Sequence, residues 1–172
     1  QEVAAKYKGA EITKFLAGIG NDAGSDAQII IMRNLEDEEL LYSQKVKFSA
    51  QEWNEYKLTT PFVIDGEGFF IGYELTVTSE KAYPVGVDVE VANPLGDLCA
   101  MYDTDKDEWV WEHLSVYDFG NNCIKFVLSG DNLPRYNLAL QDINVKEYVK
   151  AGDPFTISGT VKNLAALTTE SF

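Results

Sequence analysis

The sequence predicts an all-β fold, a jelly-roll β-sandwich, on three observations. Short apolar segments recur at intervals of roughly eight to twelve residues, the spacing of a sandwich. Clusters of Gly, Asn, Asp and Pro separate them and supply the turns. No segment carries a sustained helical stripe. With 172 residues, 45% of them hydrophobic and 12% aromatic, the chain can fill a core, so general disorder is not expected.

The elements follow in order. Residues 1–9 are a polar lead-in. Ala10–Ala17 reads as a strand with Ile12 and Leu16 on one face and Phe15 nearby. A loop of Gly, Asn and Asp leads to Gln28–Arg33, an apolar run suited to a buried strand. The acidic turn Glu36–Glu39 is a solvated reversal. Leu40–Phe48 is the next strand, with Val46 and Phe48 on one face, and a single helical turn is expected near Ser49–Trp53. Trp53–Ile64 and Phe69–Tyr73 then read as a hairpin about Asp65-Gly66-Glu67-Gly68, whose glycines suit a tight reversal. The second of these strands runs on to Thr78 with a period of two. A long connection interrupted by Pro84, Gly86 and Pro94 holds a short extended piece at Val87–Val91. Leu98–Tyr102, Glu108–Leu114 and Cys123–Leu128 close the block.

Ser129-Gly130-Asp131-Asn132-Leu133-Pro134 reads as a linker, which gives two domains, 1–130 and 131–172. The second offers only two strands, 136–148 and 155–162, with Phe155, Ile157 and Val161 expected inside. Two strands alone are marginally stable in water. They are therefore expected to pack on the first domain or on another copy of the chain, which makes a homo-oligomer through the C-terminal strands a candidate.

A formal charge of −14 argues against nucleic acid, because attraction to phosphate needs a basic face. No apolar run is long enough to span a membrane, so membrane insertion is not expected. The chain starts without a basic, apolar leader, and a secreted or cell-surface protein whose leader has been removed is the expectation. Cys99 and Cys123 are open to two readings, a disulfide or two buried thiols. His113 is the sole histidine, on a strand and outside any nucleophile motif, so a hydrolase acting through it is the least favoured reading. Asp103-Thr104-Asp105-Lys106-Asp107 spaces carboxylates as an EF-hand does. However, Glu108 and Leu114 stand where Gly and Glu are required, which excludes that loop.

The order and spacing of several weak motifs resemble the cleaved-adhesin family, the haemagglutinin/adhesin modules of gingipain-type proteases and of many secreted Bacteroidetes proteins. They are Ile12-Thr13-Lys14, Trp53-Asn54-Glu55, Leu58, Pro61, Ile64-Asp65, Phe70-Ile71-Gly72-Tyr73 and Tyr83-Pro84. They continue with Gly86, Asp88, Gly96-Asp97-Leu98, Trp109, Leu114 and Cys123-Ile124-Lys125-Phe126-Val127. The resemblance spans roughly residues 8–128. The sequence departs from the pattern at Val89-Glu90-Val91, where a Gly-Pro often stands, and at Asn122-Cys123, near which a Trp often stands. The tail, Gly152-Asp153-Pro154-Phe155 through Thr160-Val161-Lys162-Asn163, resembles the opening strands of bacterial Ig-like adhesion domains.

The resemblance implies a jelly roll related to galactose-binding-like modules and a non-catalytic accessory role. Jelly-roll modules often hold a structural calcium on loop carboxylates, and Asp22, Asp26, Asp88, Asp97 and Asp103 are the candidate ligands. It places Trp53 and Trp109 in the core. Trp111 and Tyr83 remain as the aromatics expected to be exposed, with Asp88 beside them as a polar ligand-binding residue. The expectation is thus an adhesion or binding module for a glycan or a host or cell-surface protein. A carbohydrate-binding module of a glycan-degrading system is the alternative.

Overall fold

The computed structural model describes residues 2–36, 39–77, 79, 81–131, 133, 138–144 and 158–163. The chain divides into two compact units, Gln1–Asp131 and Asn132–Phe172. After a one-turn helix α1 (Glu2–Lys6), the described residues of the first unit form eight strands. These are β1 (Glu11–Gly18), β2 (Ser25–Met32), β3 (Leu40–Lys45), β4 (Trp53–Val63), β5 (Phe70–Thr76), β6 (Leu98–Asp103), β7 (Glu108–His113) and β8 (Ile124–Ser129). A 3-10 turn, Leu114–Tyr117, follows β7. The second unit contributes β9 (Leu138–Asn144) and β10 (Ser158–Asn163), an antiparallel pair.

The fold is all-β and antiparallel, as the sequence predicts. One sheet has the order β4-β1-β8 and a second the order β3-β2-β5, while β6 and β7 form a separate hairpin. Ile12, Phe15 and Ala17 of β1 and Ala27, Ile29 and Ile31 of β2 are buried and face each other across the core. The aromatic rings link the sheets: Tyr73 of β5 lies edge-on to Phe15 at 6.4 Å and to Phe48 at 5.1 Å, and Phe48 meets Tyr56 of β4 at 5.7 Å. Burial pushes the Tyr73 hydroxyl up to about 12.

Several sequence expectations need correction. Trp53–Tyr73 is not a hairpin. β4 pairs with β1 and β5 with β2, so the glycine turn carries the chain from one sheet to the other. Both strands are apolar enough to pair, but each finds a better-buried central partner. In β1 the inward residues are Ile12, Phe15 and Ala17 rather than Ile12 and Leu16, because a register shift between Ile12 and Lys14 turns the strand over. The shift is taken up on β4 between Lys57 and Phe62, the stretch holding Pro61, which suits an edge strand. No helical turn forms at 49–53; Gln51 takes a left-handed φ of 60° in a turn instead. Val87–Val91 makes no strand, only the isolated bridge Val87↔Asn122.

The two sides of the sandwich are finished differently. On one, side chains of β3 bond the backbone of β4: the Thr59 N–H donates to Gln44 Oε1 at 2.9 Å and to Tyr42 Oη at 3.1 Å. On the other, β5 and β8 end their sheets, and the β6–β7 hairpin lies nearby. In the second unit, Val161 is exposed rather than buried. The expected burial of Phe155 and Ile157 lies outside the described residues. No described helix is long and apolar enough to cross a membrane.

Candidate functional site

The loops between β5 and β6 and between β7 and β8 are joined by side chains that bond to backbone. Asp88 Oδ1 accepts the Asn121 N–H at 2.7 Å and the Glu90 N–H at 3.2 Å. Asn121 in turn accepts the Asn93 N–H at 2.7 Å through Oδ1, and its amide donates to the Val91 carbonyl at 3.3 Å. Asn122 donates to the carbonyls of Gly96 and Leu98 at 3.0 and 2.8 Å. Gly120 is required here by close approach: a Cβ would stand 2.1 Å from Asp88 Oδ1. The Asn121 backbone N–H holds the Asp88 carboxyl below the usual carboxylate range.

A second knot lies at Asp97, a buried carboxylate. Oδ1 is 2.7 Å from His113 Nδ1, and Oδ2 accepts the Ser115 hydroxyl at 2.7 Å. These bonds, that to His113 first, lower the Asp97 pKa. Its backbone carbonyl accepts the Leu114 N–H at 2.7 Å, fixing the 3-10 turn. Ser115 and His113 thus both point at one acid. A nucleophile–base pair would instead need the serine hydroxyl on an imidazole nitrogen.

What this scaffold displays is apolar. Val89 and Val91 are almost completely exposed, Leu95 and Val116 largely so, and Tyr117 and Phe119 about half. Loops normally carry polar residues at such positions. Here Asp88, Asn121 and Asn122 turn to bond the backbone, and these apolar side chains are left outside beside exposed Glu90 and Asp118.

The named site residues fare unequally. Tyr83 is exposed, while Trp111 is half-buried on the wall of a cavity. Trp53, expected in the core, is half-exposed, with the Lys125 ammonium 4.5 Å above its ring. Trp109 is only partly buried, edge-on to Tyr102 at 5.3 Å. The five proposed calcium ligands are not brought together. Asp88 and Asp97 are used as above, and Asp22 accepts the Gly24 N–H. Asp26 accepts the Ser25 hydroxyl, and Asp103 takes two turn N–H groups and the Lys106 ammonium at 3.0 Å. Among the described residues no three His, Cys, Asp or Glu side chains are grouped as ligands, so this set does not fit a shared ion. Cys99 and Cys123 are both free thiols, each raised in pKa chiefly by burial.

The sequence reading missed Asn121, Asn122 and the exposed valines. The run Gly120-Asn121-Asn122 was the available signal, since Asn side chains readily bond nearby backbone. Fold and loops together define a β-sheet scaffold with a pre-ordered apolar loop surface. Comparison with protein-family models, with curated proteins and with solved structures finds no match for the chain.

Proposed function

We propose that the first unit is a non-catalytic adhesion or binding module of a secreted or cell-surface protein, and that its loop surface captures a protein partner. The observation that carries this is the set of exposed apolar side chains, Val89, Val91, Leu95 and Val116, on loops already tied down by Asp88, Asp97, Asn121 and Asn122. Pre-ordered loops bind without a large ordering cost. Aliphatic side chains suit the apolar centre of a protein interface and offer little to sugar hydroxyls. The jelly-roll reading is kept as part of this proposal, as is contact between copies through β9 and β10.

A carbohydrate-binding module is the second reading. Its support is an opening of about 260 Å³ beside half-exposed Trp53, with Gln51 and Glu52 on the rim. One experiment separates the two. The full chain is applied to an array of extracellular-matrix proteins and to a glycan array, beside Val89→Asp/Val91→Asp and Trp53→Ala. Protein capture lost in the valine variant supports the first reading. Glycan capture lost only with Trp53→Ala replaces it with the second. Binding to neither array, or binding indifferent to both variants, refutes the loop-surface assignment.

A further inference from the structure

We propose a second binding site, separate from the loop surface: a slot between the edges of the two sheets that takes an extended, basic peptide segment as an added strand. Four observations converge on it. First, β5 and β8 are the terminal strands of their sheets, and among the described residues neither is paired on its second side. A strand edge offers a row of backbone donors and acceptors that a peptide can complete. The opposite pair of edges, β3 and β4, is already bridged by Tyr42 and Gln44, so the openness is confined to one side.

Second, a cavity of about 300 Å³ lies along this opening, with Phe70 and Gly72 of β5, Ile124 and Phe126 of β8, and Leu98 and Trp111 of the hairpin among its walls. That volume is at the lower end for a small-molecule pocket and is suited to one or two side chains of a bound chain. Phe126 pairs with buried Phe15, yet is itself 42% exposed, so the slot leaves part of an inward-facing ring uncovered.

Third, Gly72 stands in the middle of β5 opposite Ile30, where a β-branched residue would pair better. Its φ is not in the left-handed region, so no turn requires glycine there. A Cβ added to it would meet nothing within 4 Å. Glycine inside a strand with open space above it fits the close approach of another chain.

Fourth, charge selects the occupant. The chain carries −14, and Glu74 lies two residues along β5 from Gly72 on the same face, accepting one bond from Gln28 Nε2 at 2.9 Å and keeping its other oxygen for a cation. Lys125 is the opposing charge on β8, and it is engaged over the Trp53 ring. Gly72 and Glu74 share one face of β5, so a segment with an apolar residue over Gly72 and basic residues two positions to either side would fill the cavity and set a cation opposite Glu74.

The test uses the full chain and a synthetic extended peptide, long enough to cover β8, in which a central valine is flanked by lysines two positions away on either side. Binding is followed by tryptophan fluorescence and by the backbone amide shifts of β5 and β8. Gly72→Val is expected to lower affinity at least tenfold with an unchanged or higher unfolding temperature. N-methylation of alternate peptide nitrogens is expected to abolish binding, because it removes the strand donors. Val89→Asp/Val91→Asp is expected to leave it unchanged. Four results would overturn the proposal: no binding at millimolar peptide; binding indifferent to Gly72→Val or to N-methylation; shifts confined to residues 88–96; or a fatty acid such as palmitate occupying the slot in preference to the peptide.

Discussion

Asn121→Ala tests whether the exposed loops are held or merely adjacent. The side chain makes one short bond, accepting the Asn93 N–H at 2.7 Å, and three long ones at 3.3 Å, to both Asp88 oxygens and to the Val91 carbonyl. The short bond contributes about 1 kcal/mol and the long ones together about as much again, for a sum near 2 kcal/mol. The Asn121 backbone N–H to Asp88 survives the substitution, so the loss falls on the 88–96 loop and not on the sheets. An opening equilibrium that shifts by ~2 kcal/mol exchanges its amides roughly 30-fold faster. Native-state hydrogen exchange reads this directly, with β1 and β2 amides as internal reference. Unchanged protection at Asn93 and Leu95 would refute the stapling argument. Equal loss in β1 and β2 would refute its confinement to the loops.

Gly120→Ala places a methyl group 2.1 Å from Asp88 Oδ1 and 2.7 Å from the Glu90 carbonyl, and is expected to cost ~1–3 kcal/mol in urea unfolding. Phe15→Ala removes a fully buried ring that contacts Tyr73, and is expected to cost ~3–5 kcal/mol by the same measurement. Acid should act through Asp88 and Asp97. Both are held below the ordinary carboxylate value, so the unfolded chain binds protons first as pH falls. Their stabilisation is complete above pH ~4 and is lost below it, through the depressed folded values. Urea midpoints from pH 6 to pH 3 should therefore fall less steeply in Asp97→Asn than in the parent chain, and an identical slope would count against this assignment.

The strands were legible because their apolar residues alternate; the pairing was not. Phe70-Ile71-Gly72-Tyr73 reads as a strand from composition alone, but nothing local says whether it joins β4 across a four-residue turn or β2 across the core. Turn glycines permit a hairpin without requiring one. Likewise, Ile12 and Leu16 look like one face until the register shift after Ile12 is known, and that shift shows only in the pairing with both neighbours, β4 and β8. Trp53 shows the limit of assigning burial by residue type. It begins an edge strand opposite Gly18, with one ring face taken by Lys125, so even a tryptophan is left half outside.

The loop surface was illegible for a related reason. Asp88 and Asn121 are 33 residues apart, and Asp97 and Ser115 are 18 apart, so no window of sequence contains both partners. Read one at a time, acids in loops suggest a cation or a solvated turn. Brought together, they accept N–H and O–H groups from neighbouring loops and extend the hold of the two isolated bridges, Ile19↔Val85 and Val87↔Asn122, along the connection. That hold has a consequence for recognition. Once Asp88, Asp97, Asn121 and Asn122 are spent holding the loops, the outward valines and Leu95, with Glu90 and Asp118 beside them, are what remain to meet a partner. A surface built this way gains its order from inside the protein and its affinity from excluding water outside it.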